Sequence, residues 1–553
     1  MTSSRKPLLL LLLSFLMVML WQAWVLDHMQ KPEGSKTITP PTASIAKPIN
    51  IASPSPGIDQ NITVVTDLFK VQINKRGGFV ERVWLKEYPS SLQNAAPFTL
   101  FSFTDQHAFL AQSGFSGDKD LYFNSAHSHY ELTDGQETLR VTLEAKDQHG
   151  ISYSKTFIFN RDQYHIVQSS SVHNHSTKNW SGSHYSTFSG YHDTILNNGK
   201  IPNAKEFNVD IDAPEPAYFT YNTYTGPAYY TPETPYVKFS FADMATKNLN
   251  KTVTTPNWIA VQQRYFIAAW IPGEGGDQTL SSSWQSGSIG KANNDFRQSF
   301  IFSSHGETMA VKPGESLTKQ STLYAGPELT ARLAPLAHGL DLTIDYGWLW
   351  FISDLLFHVL NFVHKYLGSW GWAIIVTTLL VKLVFYKMSE ASYRAMALQR
   401  KLKPRLDAIQ ERFADDPDKK NQATMELYQK ENINPLNGCL PTLLQIPFFL
   451  ALYYVLIESI QLRLASFLWI PDLSSKDPYY ILPVMLIMSM LLMQRLSPKQ
   501  SDPVQERTMQ GVQLMMGAMF SQFPAGLVLY WLTNNLLSFI QQYYVMHKYN
   551  AFE

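Results

Sequence analysis

Apolar residues run almost unbroken from Pro7 to Leu26, alternate with polar ones between about residues 61 and 335, and return in long blocks beyond residue 368. The first run is about twenty residues, enough to cross a hydrocarbon core. Arg5 and Lys6 precede it, and Trp21 and Trp24 close it as interface anchors. It predicts an uncleaved anchor over 1–26 with its N-terminus inside. Residues 27–60, rich in Pro, Ser, Thr and Lys, predict a flexible linker. From residue 61 the period is two: Leu139, Val141, Leu143 and Ala145 alternate with Arg140, Thr142, Glu144 and Lys146. Phe69, Val71 and Ile73 run through Lys75-Arg76-Gly77-Gly78 into Phe79–Leu85, a hairpin signal. The pattern predicts an all-β sandwich over 61–335.

A helical period follows. Trp348, Phe351, Leu355, Leu356, Val359 and Phe362, interrupted by Asp354, His358 and His364, predict an amphipathic helix within 336–367 lying in the membrane interface. Residues 368–553 form a core with spans at about 370–388, 440–462, 480–496, 509–523 and 526–546. Between the first two lies 389–434. There Leu398, Leu402, Leu406, Ile409 and Phe413 share one face, Pro404 falls within the pattern, and Asp416-Pro417 starts a second helix. This predicts a helical hairpin, and its Lys and Arg residues place it in the cytoplasm. Six crossings return the C-terminus to the cytoplasm and leave residues 27–367 outside. The whole reads as a polytopic α-helical membrane protein with a large external all-β domain.

Composition adds exclusions. Lys+Arg and Asp+Glu are both 45, so no basic excess points to nucleic acid. Cys439 is the only cysteine, so there is no disulfide framework. His127 with His129, and His173 with His175, could each share a strand face, but no third metal ligand is identifiable, and surface histidines are the plainer reading. Gly273–Gly276 has no strand–helix context for phosphate and reads as a turn. No carboxylate pair suggests an acid and a base, no ATP motif is present, and no cofactor is called for.

One residue breaks the apolar pattern in a way that points to function. Lys382 lies inside the span beginning near residue 370, at a cost of about 2.5–3.5 kcal/mol on insertion scales. Thr377 and Thr378, about one turn earlier, share its face. The bland alternative is a lysine snorkelling to the interface, but Lys387 already serves that purpose. Glu458, the acid well inside another span, falls near the opposite membrane face and should not pair with Lys382.

Three stretches resemble a known family: Asn434–Tyr454, Asp477–Pro483, and Phe523-PAGLVLYWLTN-Asn535. Trp258–Pro272 and Gly347–Ser353 extend the likeness into the external domain. The chain is similar, in the same order nearly throughout, to the YidC/Oxa/Alb family of bacterial membrane protein insertases, of the Gram-negative type with a large periplasmic domain. The resemblance implies a periplasmic β-supersandwich, six transmembrane helices with a five-helix core, and a hydrophilic groove open to cytoplasm and lipid. It implies insertion and folding of nascent inner-membrane proteins, alone or with the Sec translocon. Implied partners are nascent membrane proteins, the bilayer and the Sec translocon. The ribosome or the signal recognition particle receptor is a candidate at 389–434. Lys382 matches a position that is usually arginine in this family. Thr378, Gln445, Tyr530 and Trp531, the last a tyrosine in most relatives, match groove or substrate-contact positions, and Phe449 and Met519 fall at substrate-contacting ones.

Two other classes compete. A solute or ion transporter would use Lys382 as counter-charge and predicts inverted repeats, which are not visible. A tethered carbohydrate enzyme would use the aromatic-rich β-domain but lacks a carboxylate pair. Met485, Met488, Met490, Met493, Met515, Met516 and Met519 are either apolar filler or a surface adaptable to many substrates.

Overall fold

A computed structural model describes residues 61–92, 95–104, 107–195, 224–273, 276–288, 295–413, 416–431, 440–496 and 503–550. The predicted anchor at 1–26, the linker and Cys439 lie outside these residues.

The alternating segments build a sandwich of two sheets. One has ten strands, in the spatial order Asn250–Val253, Gln278–Ser288, Asp295–Val311, Trp180–Ile195, His107–Phe115, Pro97–Phe103, Phe79–Pro89, Phe69–Asn74, Asn61–Val65 and His129–Glu131. The other has nine: Val237–Lys238, Thr225–Tyr230, Trp258–Gln263, Phe266–Pro272, Ser316–Pro327, His165–Asn174, Ile151–Asn160, Thr138–Lys146 and Asn124–Ser125. Neighbouring strands are antiparallel except Asn61–Val65 with His129–Glu131. The expected hairpin forms, pairing Phe69–Asn74 with Phe79–Pro89 and placing Gly77 and Gly78 at φ of +78° and +56°. Along Thr138–Lys146, Leu139, Val141, Leu143 and Ala145 face inward as their spacing requires. Trp258–Gln263 is buried on both faces, because short turns and helices after Pro327 cover its outer side; the Trp258 indole donates to His338 O at 3.2 Å.

Inside the sandwich lies an ion pair. Lys155 is 1% exposed and its ammonium sits 3.0 Å from Asp118 Oδ2, while it donates to Gly77 O at 2.7 Å. Asp118 also accepts from Tyr185 OH at 2.8 Å and Phe115 N at 3.0 Å. Paired in charge and further hydrogen-bonded, the two groups tolerate burial. Gly114 leaves room for it: a Cβ there would lie 2.0 Å from Asp118 Oδ2.

Nine helices of ten residues or more follow the sandwich among the described residues: α1 (Trp350–Leu367), α2 (Trp370–Val384), α3 (Tyr386–Lys401), α4 (Lys403–Arg412), α5 (Pro417–Lys430), α6 (Leu440–Glu458), α7 (Ile481–Leu496), α8 (Pro503–Phe520) and α9 (Ala525–Lys548). No single one of them is long and apolar enough to cross a membrane alone. Together α2 and α3 reach that length, but with a 70° bend between them, and the apolar stretches Gln445–Glu458 and Ile481–Leu496 are shorter. The apolar run that began as one expected element thus breaks at Phe385, where Lys387 and Glu390 start to follow. The helical face that runs past Pro404 breaks at Leu402, with Pro404 in the first turn of α4. Asp416 caps α5, accepting from Lys419 N at 3.1 Å.

Helix α9 is the hub: its Leu527, Val528 and Leu532 pack with Ile374 of α2, Leu452 of α6 and Leu486 of α7. Helix α1 docks Leu356, Leu360 and Val363 on this core, and Ser353 donates to Ala451 O at 3.1 Å. Its other face exposes Trp350, Phe351, Leu355, Phe362 and Tyr366.

Arg463 joins sandwich to helices. Arg463 donates to Pro89 O at 2.8 Å and Ser90 O at 2.7 Å, and its guanidinium lies 5.7 and 5.8 Å from the ring centres of Phe98 and Phe266. Near the seam, Gln262 donates to Glu328 at 2.8 Å and lies 3.0 Å from Thr343 O. Burial first, then the nearby Glu458, pushes the Glu328 carboxyl well above the usual carboxylate range, opposed by the Gln262 bond.

The sandwich core also predicts a pH response. His184, 8% exposed beside Ser113 and Phe115, is pushed down to about 3 by burial, with Lys155, Lys319 and His305 adding to the effect. In the unfolded chain it titrates near 6.5. Between those values the unfolded state holds the extra proton, so His184's contribution to stability is present above about pH 6.5. It is lost as pH falls, at about 1.4 kcal/mol per unit. Thermal unfolding of the full chain from pH 7 to 5 should therefore show a steeper loss in wild type than in His184→Gln. Parallel curves would refute this assignment.

Candidate functional site: a buried lysine between α2, α6 and α9

Lys382 sits in the last turn of α2 and is 7% exposed. Its ammonium donates to Ser538 Oγ of α9 at 2.7 Å and, more weakly, to Gln445 Oε1 of α6 at 3.4 Å. Among the described residues no carboxylate lies within ion-pair distance of it. Gln445 is thirteen residues before Glu458, about 20 Å along α6 at 1.5 Å per residue, so Glu458 is remote from the ammonium. One turn before Lys382, Thr378 is 1% exposed and donates to Ile374 O at 2.6 Å. Thr377 is fully buried and its hydroxyl has no hydrogen-bond partner among the described residues.

The remaining predicted residues gather about two turns along α9. Phe449, one turn after Gln445 on α6, stacks on Tyr530 with centroids 6.2 Å apart and meets Trp531 edge-on at 4.4 Å. Phe520 of α8 meets Trp531 at 4.6 Å. Met519, beside Phe520, is half-buried. The seven residues thus fall into a polar end, with Lys382, Gln445 and Thr378, and an aromatic end, with Phe449, Tyr530, Trp531 and Met519.

Sequence reasoning missed the polar stripe of α9 that completes the polar end. Ser538 is 4% exposed and donates to Asn534 O at 2.6 Å. Asn535 reaches Ser489 of α7 at 3.3 Å, and Gln541 donates to Tyr386 O at 2.9 Å. The signal was present: Trp531 and Ser538 are seven apart, and Asn534, Ser538, Gln541 and Gln542 recur at helical spacing in an otherwise apolar run.

One end of the helix cluster is closed by the 463–479 loop. Asp472 gathers it by accepting from Leu464 N, Ser474 N and the Ser475 hydroxyl at 2.7–3.0 Å. Asp477 starts α7 by accepting from Tyr479 N and Leu482 N. The loop then covers the first amides of α9: Ala525 N donates to Ser475 O at 2.7 Å and Gly526 N to Leu473 O at 2.9 Å. Phe467 fills the space over Gly371, where a Cβ would come within 2.1 Å of its ring.

Two family models cover this architecture: the YidC periplasmic domain over residues 61–359 and the 60Kd inner membrane protein over residues 362–551. A membrane protein insertase YidC of Coxiella burnetii is 38% identical over 575 residues, covering 99% of this chain and 97% of that one. The chain belongs to the YidC family of membrane protein insertases. The Methylococcus capsulatus insertase YidC is 38% identical over 550 residues, covering 96% of this chain and 95% of its own. That of Legionella pneumophila is 36% identical over 573 residues, covering 99% and 97%. As a member of this YidC family of inner membrane proteins, the chain couples a mostly β-sandwich periplasmic domain to the helical cluster that holds Lys382.

The aromatic end yields a stability prediction. Trp531 is half-buried, so Trp531→Ala should cost about half of the 3–5 kcal/mol typical of a core aromatic, whereas Trp531→Tyr should cost little. Thermal unfolding in detergent would read both. Equal losses would show that ring packing against Phe449 and Phe520 is not what holds this position.

Proposed function

We propose that the Lys382 site is the receiving end of a hydrophilic groove through which nascent inner-membrane proteins are inserted, with six crossings and both termini cytoplasmic. The observation that carries this reading is an ammonium buried among neutral oxygens with a hydrogen left to donate. A lysine in lipid alone costs about 2.5–3.5 kcal/mol, and a neutral serine and glutamine offset only part of that. Water filling the space supplies the rest, and an acidic segment of substrate can replace that water.

The mechanism is physical, with no covalent step. A polar flank that crosses pure lipid leaves backbone groups unsatisfied at several kcal/mol each. Entering partway, toward Lys382, Gln445 and Thr378, shortens that barrier. The apolar part of the substrate meanwhile lies against lipid-facing side chains such as Leu379, Leu383, Met488 and Met515, all exposed. Phe449, Trp531 and Met519 offer it an adaptable apolar contact. The 463–479 loop, held by Asp472 and Asp477, supports closure on the periplasmic side. Membrane potential acting on negative charges, together with hydrophobic transfer, supplies the drive. The exposed aromatic face of α1 supports a helix resting in the interface. The α3–α5 hairpin, residues 389–434, is the surface proposed for the ribosome or the signal recognition particle receptor, and the Sec translocon is the proposed companion for larger substrates.

Charge variants test the reading. Lys382→Arg should retain or improve insertion in reconstituted liposomes, because the guanidinium fork binds carboxylate well. Lys382→Ala should impair substrates with acidic translocated segments about tenfold more than neutral ones, and Lys382→Glu should do worst. Alanine and glutamate variants that insert acidic-flanked substrates as well as wild type would sink it. Removing residues 62–323 should leave insertion measurable, since every groove residue lies beyond Asp345. Total loss at normal protein levels would show that the sandwich is required.

A further inference from the structure

Resting on the groove reading above, we infer that Ser538 is a positioning residue for Lys382: its hydroxyl aims the ammonium so that one hydrogen remains for an acidic segment of substrate. The proton count supports this. Ser538 has one proton and two lone pairs. Asn534 O, 2.6 Å away, can only accept, so the serine proton goes there. A lone pair is left for the Lys382 ammonium at 2.7 Å. With its proton held by Asn534 O, the hydroxyl rotor is locked. It is buried at 4% exposure, so water does not compete for it freely.

The ammonium has three hydrogens. One points to Ser538 and a second, at a longer distance, to Gln445. Those two directions fix the third within the tetrahedral geometry of the nitrogen. Without the serine, a lysine on four flexible bonds would sample other directions or turn toward the cytoplasmic end of α2, and its charge would no longer stand at one place. Gln541, donating to Tyr386 O at 2.9 Å, ties the start of α3, just beyond the bend at Phe385, to α9.

A matched pair of variants isolates the hydroxyl. Ser538→Thr keeps it and Ser538→Val has nearly the threonine shape without it. The readout is the ratio of insertion rates for one small single-span protein carrying either an acidic translocated flank or its Asn-substituted neutral version, in liposomes with the full chain. Ser538→Val should lower the acidic-to-neutral ratio about tenfold, the size of a hydrogen bond to a charged group. Ser538→Thr should stay within about twofold of wild type. In a Lys382→Ala background, Ser538→Val should change the ratio no further, because it acts through the lysine. Equal losses on both flanks, or an independent loss in the Lys382→Ala background, would overturn the positioning role. If Lys382→Ala lowers the ratio and Ser538→Val does not, Ser538 alone is refuted. If Lys382→Ala itself leaves the ratio unchanged, the groove reading fails and the inference falls with it.

Discussion

An ammonium enclosed by three helices, with only neutral oxygens to hold it, is an expensive arrangement. Much of the helical half of this protein can be understood as what makes it tolerable. The apolar core of α2, α6, α7 and α9 sets the frame through Ile374, Leu452, Leu486 and Leu527. Within that frame Ser538 of α9 and Gln445 of α6 meet the Lys382 ammonium, and the Thr377 and Thr378 hydroxyls lie about one turn away on α2 itself. None of these partners is charged. A carboxylate there would complete an ion pair and leave little for a substrate to replace, since removing one partner from a buried pair costs several kcal/mol. In the proposed groove, neutral partners would keep the charge available to acidic segments of substrate.

The opposite treatment of charge inside the β-sandwich sharpens the contrast. Lys155 is as deeply buried as Lys382, but it meets an opposite charge, Asp118, at 3.0 Å, with Gly77 O and the Phe123 ring beside it. That pair braces the structure. At the seam between the halves a third solution appears, with Arg463 capping backbone carbonyls of the sandwich while stacking near Phe98 and Phe266. The arginine follows directly after the short turn Ile460–Leu462 at the end of α6. The loop that closes the helix cluster is therefore also the loop that meets the periplasmic domain. Asp472 and Asp477 stiffen it from within, so the closure does not rest on the sandwich being present.

What could be read in the sequence follows from how local each signal is. The alternation of residues 139–146 and the Gly77-Gly78 turn concern neighbours along the chain, and both predicted the strands that form. Asp416 and Pro417, likewise, announce the start of α5 by themselves. Lys382 was visible because a charge in an apolar run needs no partner to be noticed. Its environment was not visible, because Ser538 lies 156 residues away and a serine in an apolar helix looks like filler. Lys155 was hidden in the same way: it falls on the inward face of its strand, and only the fold brings Asp118 to it. The bend at Phe385 was missed since nothing in an apolar run marks where the helix turns.

If the polar end belongs to a groove open to the cytoplasm, water reaches it from that side and from nowhere else. Single cysteines at Gln445 and Leu379, placed in a chain whose Cys439 is serine, would test it through alkylation by a membrane-impermeant maleimide in inside-out and right-side-out vesicles. The account predicts rapid labelling at position 445 in inside-out vesicles, little in right-side-out ones, and slow labelling in both at position 379, which faces lipid. Labelling at 445 from the periplasmic side, or none at 445 from either side, would contradict it.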